Sequence, residues 1–458
     1  MTGQRSAPAP IRPRERDAIL QSLRAGVVPR IGQQHIQVGR ANEVTALLAD
    51  IERIADGGSA IRFAIGEYGA GKSFFLNLIR SIALERKLVT VHADLAPDRR
   101  APGGQVRSLS AGLMRNVSTR AKPDGGAMPS IVERFVADSL TASTSRGVAP
   151  EIVIRERLAE LEEMTGGYDF AEVIAAYWRG HDTGNEQLKA DAVRWLRGEF
   201  TTRTDARAAL GVRTIIDDST FYDHLKLFAR FVRLAGFSGL LVNLDELVNL
   251  YKLSNTQARN ANYEQLLRIL NDCLQGSAVG LGFVLGGTPD LLLDTRRGLY
   301  SYAALQSRLA ENTFAGAGLV DYSGPVLRLP NLAPEDMYVL LDKLRHVYAG
   351  GIPNNYLVPD EALTAFMTHC STRVGDAYFR TPRTTIKEFI NLLAVLDQNP
   401  DIEWSELVER VELAPETNPD LAPLSEDEPA QPLTATAPTQ APDAPIEEDD
   451  DDLATFKL

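Results

Sequence analysis

Short runs of mostly apolar residues predict the buried strands of this chain. Five such runs occupy residues 61–65, 88–93, 240–244, 280–285 and 326–329. Their length and their content of β-branched residues favour strands over helices. A Gly-rich turn and an amphipathic helix, predicted over residues 73–86, join the first run to the second. Because a strand, a helix and a strand in so few residues form one βαβ unit, the pattern predicts an α/β fold with a mainly parallel, five-stranded sheet.

Helical periodicity dominates two other parts of the chain. Residues 130–212 have the pattern of several amphipathic helices, and they separate the second predicted strand from the third. Since a connection within one sheet needs far fewer residues, we interpret residues 105–212 as a helical insertion. After residue 330 only helices are predicted, over 334–349, 360–370, 382–397 and 403–411. They form a C-terminal helical unit.

The composition is that of a globular protein with more than one unit. The chain has 458 residues, of which 44% are hydrophobic and 24% charged, which excludes a wholly disordered or collagen-like chain. It contains no run of 18 apolar residues, so no membrane-spanning helix is predicted. The N-terminus lacks the apolar core of a secretory signal. Because Cys273 and Cys370 are the only cysteines, no disulfide framework is predicted, and the cytoplasm is the expected location.

Negative charge is concentrated at the C-terminus. The formal net charge is −13, but residues 415–458 hold twelve Asp or Glu and one Lys, which leaves −2 for residues 1–414. Eight prolines in the same 44 residues predict a disordered acidic tail. The nearly neutral body argues against a globally basic nucleic-acid binder, although a local basic groove stays open. We therefore expect an N-terminal lead and helix over 1–35, an α/β domain over 36–330, the helical unit over 331–414, and the tail.

The strongest chemical signal is a Gly-rich loop between the first strand and its helix. Residues 66–73 read GEYGAGKS and match G-x-x-x-x-G-K-[ST] at every position. Main-chain N–H groups of such a loop surround a phosphate, and the following helix presents its positive end to the same anion. The predicted ATP-binding residues of the loop are Gly66, Glu67, Tyr68, Gly69, Ala70, Gly71, Lys72, Ser73 and Phe74. Lys72 would reach the β- and γ-phosphates and act in catalysis, and Ser73 would bind Mg²⁺. The alternative is a chance Gly-rich turn, which the flanking strand and helix disfavour.

Two adjacent acids follow the third strand. The string GLLVNLDE places Asp245 and Glu246 at the carboxyl edge of the sheet, where ligands bind in open α/β sheets. Asp245 would hold Mg²⁺, and Glu246 would polarise the attacking water as general base. An ordinary acidic helix start is the alternative, but the phosphate loop favours the catalytic interpretation. The Asp-Glu pair favours hydrolysis over transfer to an acceptor, and the absence of an Asn-Lys-x-Asp string favours ATP over GTP.

Further polar residues are predicted near the γ-phosphate. Thr288 follows the fourth strand in GGTPD and would orient the attacking water, while an ordinary Gly/Thr/Pro turn is the alternative. Arg308, Arg383 and Arg40 would neutralise charge that develops on the γ-phosphate, in cis or from a neighbour. A surface or packing role is the alternative for each arginine. Arg308 acting from a neighbour would require a homo-oligomer.

Together these motifs resemble those of the AAA+ superfamily of P-loop ATPases, especially its initiator-like branch. The string VGR at residues 38–40, followed by Glu43, is similar to the adenine-side motif of that superfamily. The resemblance covers about residues 36–398 and implies that the C-terminal helical unit is a lid over the nucleotide. The sensor-1, arginine-finger and sensor-2 places correspond to Thr288, Arg308 and Arg383.

A closer resemblance is to the BrxD-type ATP-binding proteins of bacteriophage-exclusion (BREX) loci. It is carried by the strings RAGVVPRIGQQHIQVGR, IGEYGAGKSFFLNLIRSIAL, HADLAPDRR and TPRTTIKEF. That family is encoded beside a large Lhr-like helicase. The resemblance therefore implies an ATPase of bacterial anti-phage defence that acts with DNA or with DNA-bound partners.

Three functions are compatible with these motifs. An ATPase that remodels or loads DNA-associated partners, such as a helicase, would be stimulated by DNA or by that partner. A nucleotide-dependent assembly switch or signalling ATPase would turn over slowly and would form oligomers without direct DNA action. A small-molecule kinase would phosphorylate an acceptor, but the Asp-Glu pair and Arg383 argue against it.

Overall fold

A computed structural model describes residues 10–95, 109–253, 255–315, 319–374 and 382–411 of the chain. The predicted acidic tail, the first nine residues and the start of the predicted insertion lie outside these ranges. Within the described ranges, no helix is long and apolar enough to cross a membrane.

Five strands form a single sheet at the centre of the protein. They are β1 (Ser59–Ile65), β2 (Leu88–Asp94), β3 (Gly239–Asp245), β4 (Leu281–Gly287) and β5 (Val326–Arg328). Their order is β2-β3-β4-β1-β5, and every neighbouring pair is parallel. The predicted five-stranded parallel sheet is confirmed.

Helices precede, separate and follow the strands. In chain order they are α1 (Pro13–Arg24), α2 (Ala41–Ala55), α3 (Lys72–Glu85), α4 (Leu109–Arg115), α5 (Met128–Arg146), α6 (Pro150–Glu162), α7 (Gly167–Thr183), α8 (Glu186–Leu196), α9 (Arg203–Leu210), α10 (Phe221–Leu234), α11 (Val248–Tyr251), α12 (Thr256–Leu274), α13 (Pro289–Leu293), α14 (Ala303–Leu309), α15 (Pro334–Tyr348), α16 (Asp360–Val374), α17 (Pro382–Gln398) and α18 (Trp404–Glu409). Helices α4 to α10 lie between β2 and β3, and α15 to α18 follow β5.

Both faces of the sheet are covered. On one face, Ala64 and Leu241 of the sheet share a buried cluster with Ile51 of α2 and Leu76 of α3. The other face belongs to a larger core that includes the helices between β2 and β3. Because the strands are buried on both sides, they are mostly apolar rather than alternating, although β1 also buries Arg62 and β3 buries Asn243. This is why short apolar runs predict them.

The C-terminal helices share a separate core with the N-terminal helix. Ile19 of α1 lies in one buried cluster with Leu341 of α15 and Phe389 of α17. The guanidinium Nε of Arg16 donates a hydrogen bond to the carbonyl oxygen of Tyr348 at 2.8 Å, across 332 positions of sequence. The N-terminal helix is therefore fixed to the helices that follow the sheet.

Candidate functional site

The Gly-rich loop connects β1 to α3 at the carboxyl end of the sheet. Gly71 caps α3 with a φ of 76°, a left-handed conformation that glycine adopts without steric cost. The turn leads directly into the first residues of α3. The unpaired N–H groups of that helix end and the helix dipole favour an anion at this position.

The ammonium group of Lys72 is held by its own loop. Its Nζ donates hydrogen bonds to the carbonyl oxygens of Gly66 at 2.9 Å and of Glu67 at 2.8 Å. The charge therefore lies at the start of α3, beside the N–H groups of the loop. Loop amides and an adjacent ammonium group are the features that bind a phosphate chain.

Residues from the two predicted motifs meet at the sheet edge. The hydroxyl of Ser73 donates to Oδ2 of Asp245 at 2.6 Å, and Asp245 is 4% exposed. On the neighbouring strand β4, a side chain on Gly286 would overlap Oδ1 of Asp245, so a glycine leaves room for the carboxylate. A hydroxyl and a carboxylate side by side are oxygen donors of the kind that Mg²⁺ prefers. The residues therefore fit Mg²⁺.

Glu246 follows in a strained backbone conformation. Its φ is 58°, a left-handed value that is uncommon for residues other than glycine. Two main-chain hydrogen bonds hold this turn, from Leu247 N to Gly286 O and from Asn249 N to Glu246 O, both at 3.0 Å. Strain of this kind is found most often at functional sites.

A cavity of about 480 Å³ opens above the loop. Its lining includes most of the predicted site residues: Tyr68, Gly69, Ala70, Gly71, Lys72, Ser73, Phe74, Asp245, Glu246, Thr288, Arg40 and Arg383. Its apolar lining includes Val27, Val28, Ile36, Val38, Leu332 and Ile386. A phosphate loop combined with apolar walls is suited to a ligand that has a charged end and a flat, less polar end. Gly66 and Glu67 are not among the described residues that line the cavity. Their carbonyl oxygens accept hydrogen bonds from Lys72, which does line it.

Thr288 has a second role beside its position on the cavity. Its hydroxyl accepts a hydrogen bond from the main-chain N–H of Leu291 at 3.4 Å and thereby caps α13. A threonine that caps a short helix corresponds to the alternative for Thr288, an ordinary Gly/Thr/Pro turn. Thr288 also lines the cavity together with Gly286, Gly287 and the acidic pair, so both roles are compatible with its position.

Arg40 contacts the main chain of the loop. One terminal nitrogen of its guanidinium donates to the carbonyl oxygens of Ala70 and of Pro330, the latter at 3.2 Å. Burial lowers the pKa of Arg40, while the charges of Glu43 and Asp336 raise it. Arg40 therefore joins the Gly-rich loop to the segment that leads into α15.

The other two predicted arginines occupy different places. Arg383, the second residue of α17, lines the cavity. Its Cδ would lie 3.4 Å from a Cβ added to Gly26. Arg308 lies on α14, where its Nε donates to Oδ1 of Asn271 at 2.6 Å. Arg308 is not among the described residues that line the cavity. The structure thus brings Arg383 to the site and leaves Arg308 outside it within one chain.

Sequence reasoning missed Asn249. This residue is 9% exposed, lines the cavity, and donates from Nδ2 to Oε2 of Glu246 at 3.4 Å. The one sequence signal is its spacing, since a residue three positions after Glu246 returns to the same side of a helical turn.

Comparison with protein families gives a match over most of the chain. A family model described as "BREX system ATP-binding protein BrxC/D" matches residues 11–412. No curated protein and no solved structure matches the chain.

Proposed function

Because the chain belongs to the BrxC/BrxD family of BREX system ATP-binding proteins, we propose that it hydrolyses Mg²⁺–ATP in bacterial anti-phage defence. The family supports ATP as the ligand. One observation carries the proposal of hydrolysis: Ser73 Oγ lies 2.6 Å from Asp245 Oδ2, within a cavity that Lys72 and Glu246 also line. The parts that P-loop hydrolases need are therefore together in one place.

The residues divide the chemistry between them. The amides of the loop and Lys72 bind the β- and γ-phosphates, and Ser73 and Asp245 hold Mg²⁺. Mg²⁺, when bound, neutralises charge on the phosphate oxygens. Glu246 accepts a proton from the attacking water as general base, and Thr288 orients that water.

Two arginines complete the proposal. Arg383 would reach the γ-phosphate from α17, so that the helical unit over residues 331–414 acts as a lid. Arg383 Cδ would lie 3.4 Å from a Cβ added to Gly26, just after α1, and this supports a lid that includes the N-terminal helix. Arg308, outside the cavity of its own chain, would act on the nucleotide of a neighbour, which requires a homo-oligomer.

We place this activity in the cytoplasm, on DNA-associated partners such as an Lhr-like helicase that the protein remodels or loads. Membership of a BREX family supports partners from the same defence system. The alternative is a nucleotide-dependent assembly switch or signalling ATPase that does not act on DNA directly.

Steady-state phosphate release from ATP tests the proposal. The purified protein is assayed with Mg²⁺ or with EDTA, with and without single- and double-stranded DNA, while particle mass is measured in parallel. We expect release that depends on Mg²⁺ and rises with DNA. A mass change with nucleotide but no DNA stimulation would favour the assembly switch. If no phosphate is released under any of these conditions, the proposal that the protein hydrolyses ATP is wrong.

A further inference from the structure

A buried amide beside Glu246 is not explained by the ATP-binding motifs. Asn249 lies on α11, one helical turn after Glu246, and is 9% exposed. Its Nδ2 donates to Oε2 of Glu246 at 3.4 Å and also donates to the carbonyl oxygen of Leu95. Since a carboxamide nitrogen carries two hydrogens, each hydrogen has its own acceptor.

We propose that Asn249 is a positioning residue for the general base. It orients the carboxylate of Glu246 and ties it to the end of β2. This inference rests on the proposed ATP hydrolysis and names a residue on which that hydrolysis depends.

The backbone of Glu246 is already fixed by the sheet. Its φ of 58° is retained because neighbouring groups hold it. Glu246 N donates to Oδ1 of Asp245 at 2.9 Å, and Leu247 N donates to Gly286 O at 3.0 Å. These bonds set where the side chain starts, but they do not set its three side-chain torsions. A donor near the carboxylate is needed for that, and Asn249 supplies one.

Asn249 is itself held rigidly enough to orient another group. Its second acceptor, the carbonyl of Leu95, follows β2 directly, and Leu95 is fully buried. Leu95 N donates in turn to the carbonyl oxygen of Asp245 at 3.1 Å. The contacts therefore form a closed path from β3 through Leu95 and Asn249 back to Glu246. A carboxylate anchored in this way keeps one orientation relative to the cavity.

Substitutions at Asn249 separate the positioning role from simple packing. Asn249→Asp keeps the shape but replaces the donor with a carboxylate that repels Glu246 and the Leu95 carbonyl. Asn249→Ala removes the donor without adding charge. Because general base catalysis contributes about 10²–10⁴-fold, we expect either change to lower kcat at least about 10-fold. Nucleotide Kd should stay within about threefold, since Asn249 is not assigned to phosphate binding. Asn249→Gln, which retains the donor, should restore part of the rate.

A matched control distinguishes this role from the loss of a buried amide. Asn262 on α12 is fully buried, donates from Nδ2 to Ala258 O at 2.8 Å, and does not line the cavity. Asn262→Ala should lower the Tm but leave kcat within about twofold. In a Glu246→Gln background, Asn249→Ala should lower the residual single-turnover rate less than about twofold, because residues that act through one another are not additive.

The contact itself is measured without turnover. With ¹⁵N-labelled asparagine, the side-chain amide signal of Asn249 is assigned by its loss in Asn249→Asp, and it should shift in Glu246→Ala. An unchanged signal would overturn the contact, whatever effect the Asn249 variants have on kcat. A wild-type protein that does not hydrolyse ATP overturns the proposed function, while the amide signal still decides on the contact. If the wild type is active and folded Asn249→Ala matches or exceeds its kcat, this inference alone is wrong.

Discussion

The hydroxyl of Ser73 lies 2.6 Å from the carboxylate of Asp245, although the two residues are 172 positions apart in the chain. Ser73 follows β1 and Asp245 ends β3, and β4 lies between these strands in the sheet. The approach is open because Gly286 of β4 has no side chain to fill the space at Oδ1 of Asp245. The contact therefore depends on the order of the strands as much as on the two motifs.

Removing either oxygen of this pair should abolish most Mg²⁺-dependent turnover. We expect Ser73→Ala and Asp245→Ala each to lower kcat at least about 100-fold, since a metal ion contributes several kcal/mol of charge stabilisation. The double variant should be little worse than either single one, because both changes remove the same site. Ser81→Ala is the control on the same helix, where the hydroxyl bonds only Asn77 O in the described contacts. Measuring kcat against Mg²⁺ concentration checks this; an unchanged Mg²⁺ dependence in Ser73→Ala would contradict it.

Lys72→Ala should weaken nucleotide binding. A charged hydrogen bond contributes about 1.5–3 kcal/mol, so we expect the Kd for ATP to rise roughly 10- to 150-fold. Isothermal titration calorimetry in the presence of Mg²⁺ measures this directly. Lys122→Ala, which changes an exposed lysine outside the cavity, should bind as the wild type does. Tight binding by Lys72→Ala would count against the phosphate loop.

Glu246→Gln should separate binding from hydrolysis. The amide cannot accept the proton of the attacking water, so we expect kcat to fall at least about 100-fold while the Kd for ATP changes little. Glu264→Gln alters an exposed glutamate of α12 and should leave both quantities unchanged. Single-turnover hydrolysis and nucleotide binding, measured on the same preparations, show whether kcat falls while the Kd is unchanged. Turnover of Glu246→Gln at the wild-type rate would refute its assignment as the base.

The strands and the positions of the two motifs at the sheet edge were predictable from the sequence because their causes are local. A strand buried on two faces is mostly apolar, and a loop that wraps a phosphate needs glycine where φ is positive, as at Gly71. The acidic pair at 245–246 follows from the position of a strand end in a parallel sheet. Each of these features is determined by a few consecutive residues, so the sequence alone predicts it.

Contacts between distant segments were not predictable in this way. Asn249 reaches the carbonyl of Leu95 across 154 positions, and Arg40 reaches that of Pro330 across 290. Neither pair leaves a pattern in the sequence, because a main-chain carbonyl can be supplied by any residue type. The place of Arg308 outside the cavity of its own chain follows likewise from how α14 packs, which residue spacing does not encode.

Gly286→Ala should damage the site through Asp245. The added methyl group would overlap Oδ1 of Asp245 and would lie 3.3 Å from Leu76 Cδ2, so the carboxylate must move. We expect a stability loss of about 1–3 kcal/mol and a kcat at least about 10-fold lower, because a displaced Asp245 no longer meets Ser73. Gly324→Ala is the matched control, since a Cβ there has no heavy atom within 4 Å. Thermal unfolding and kcat are compared for the two variants; equal activity would contradict the prediction.

His224 should make the protein lose stability in mild acid. It is 3% exposed, and burial lowers its pKa from 6.5 to about 4, although a hydrogen bond with the carbonyl of Leu196 raises it. Between these two pH values the unfolded chain binds a proton that the folded chain does not, so stability rises with pH and is lost as pH falls. The difference in pKa corresponds to at most about 3 kcal/mol.

Comparing denaturant unfolding of the wild type and His224→Phe across pH 4–7 isolates this contribution. The ring of the variant can still pack against Phe228, whose ring is stacked on His224 at 6.5 Å, while the lost bond to Leu196 shifts stability equally at every pH. Buried carboxylates titrate in both proteins and cancel in the difference. We expect the wild type to lose up to about 3 kcal/mol more than the variant between pH 7 and pH 4. His181→Gln, which alters an exposed histidine of α7, should follow the wild type. Parallel curves for the wild type and His224→Phe would show that His224 does not cause a loss of stability in acid.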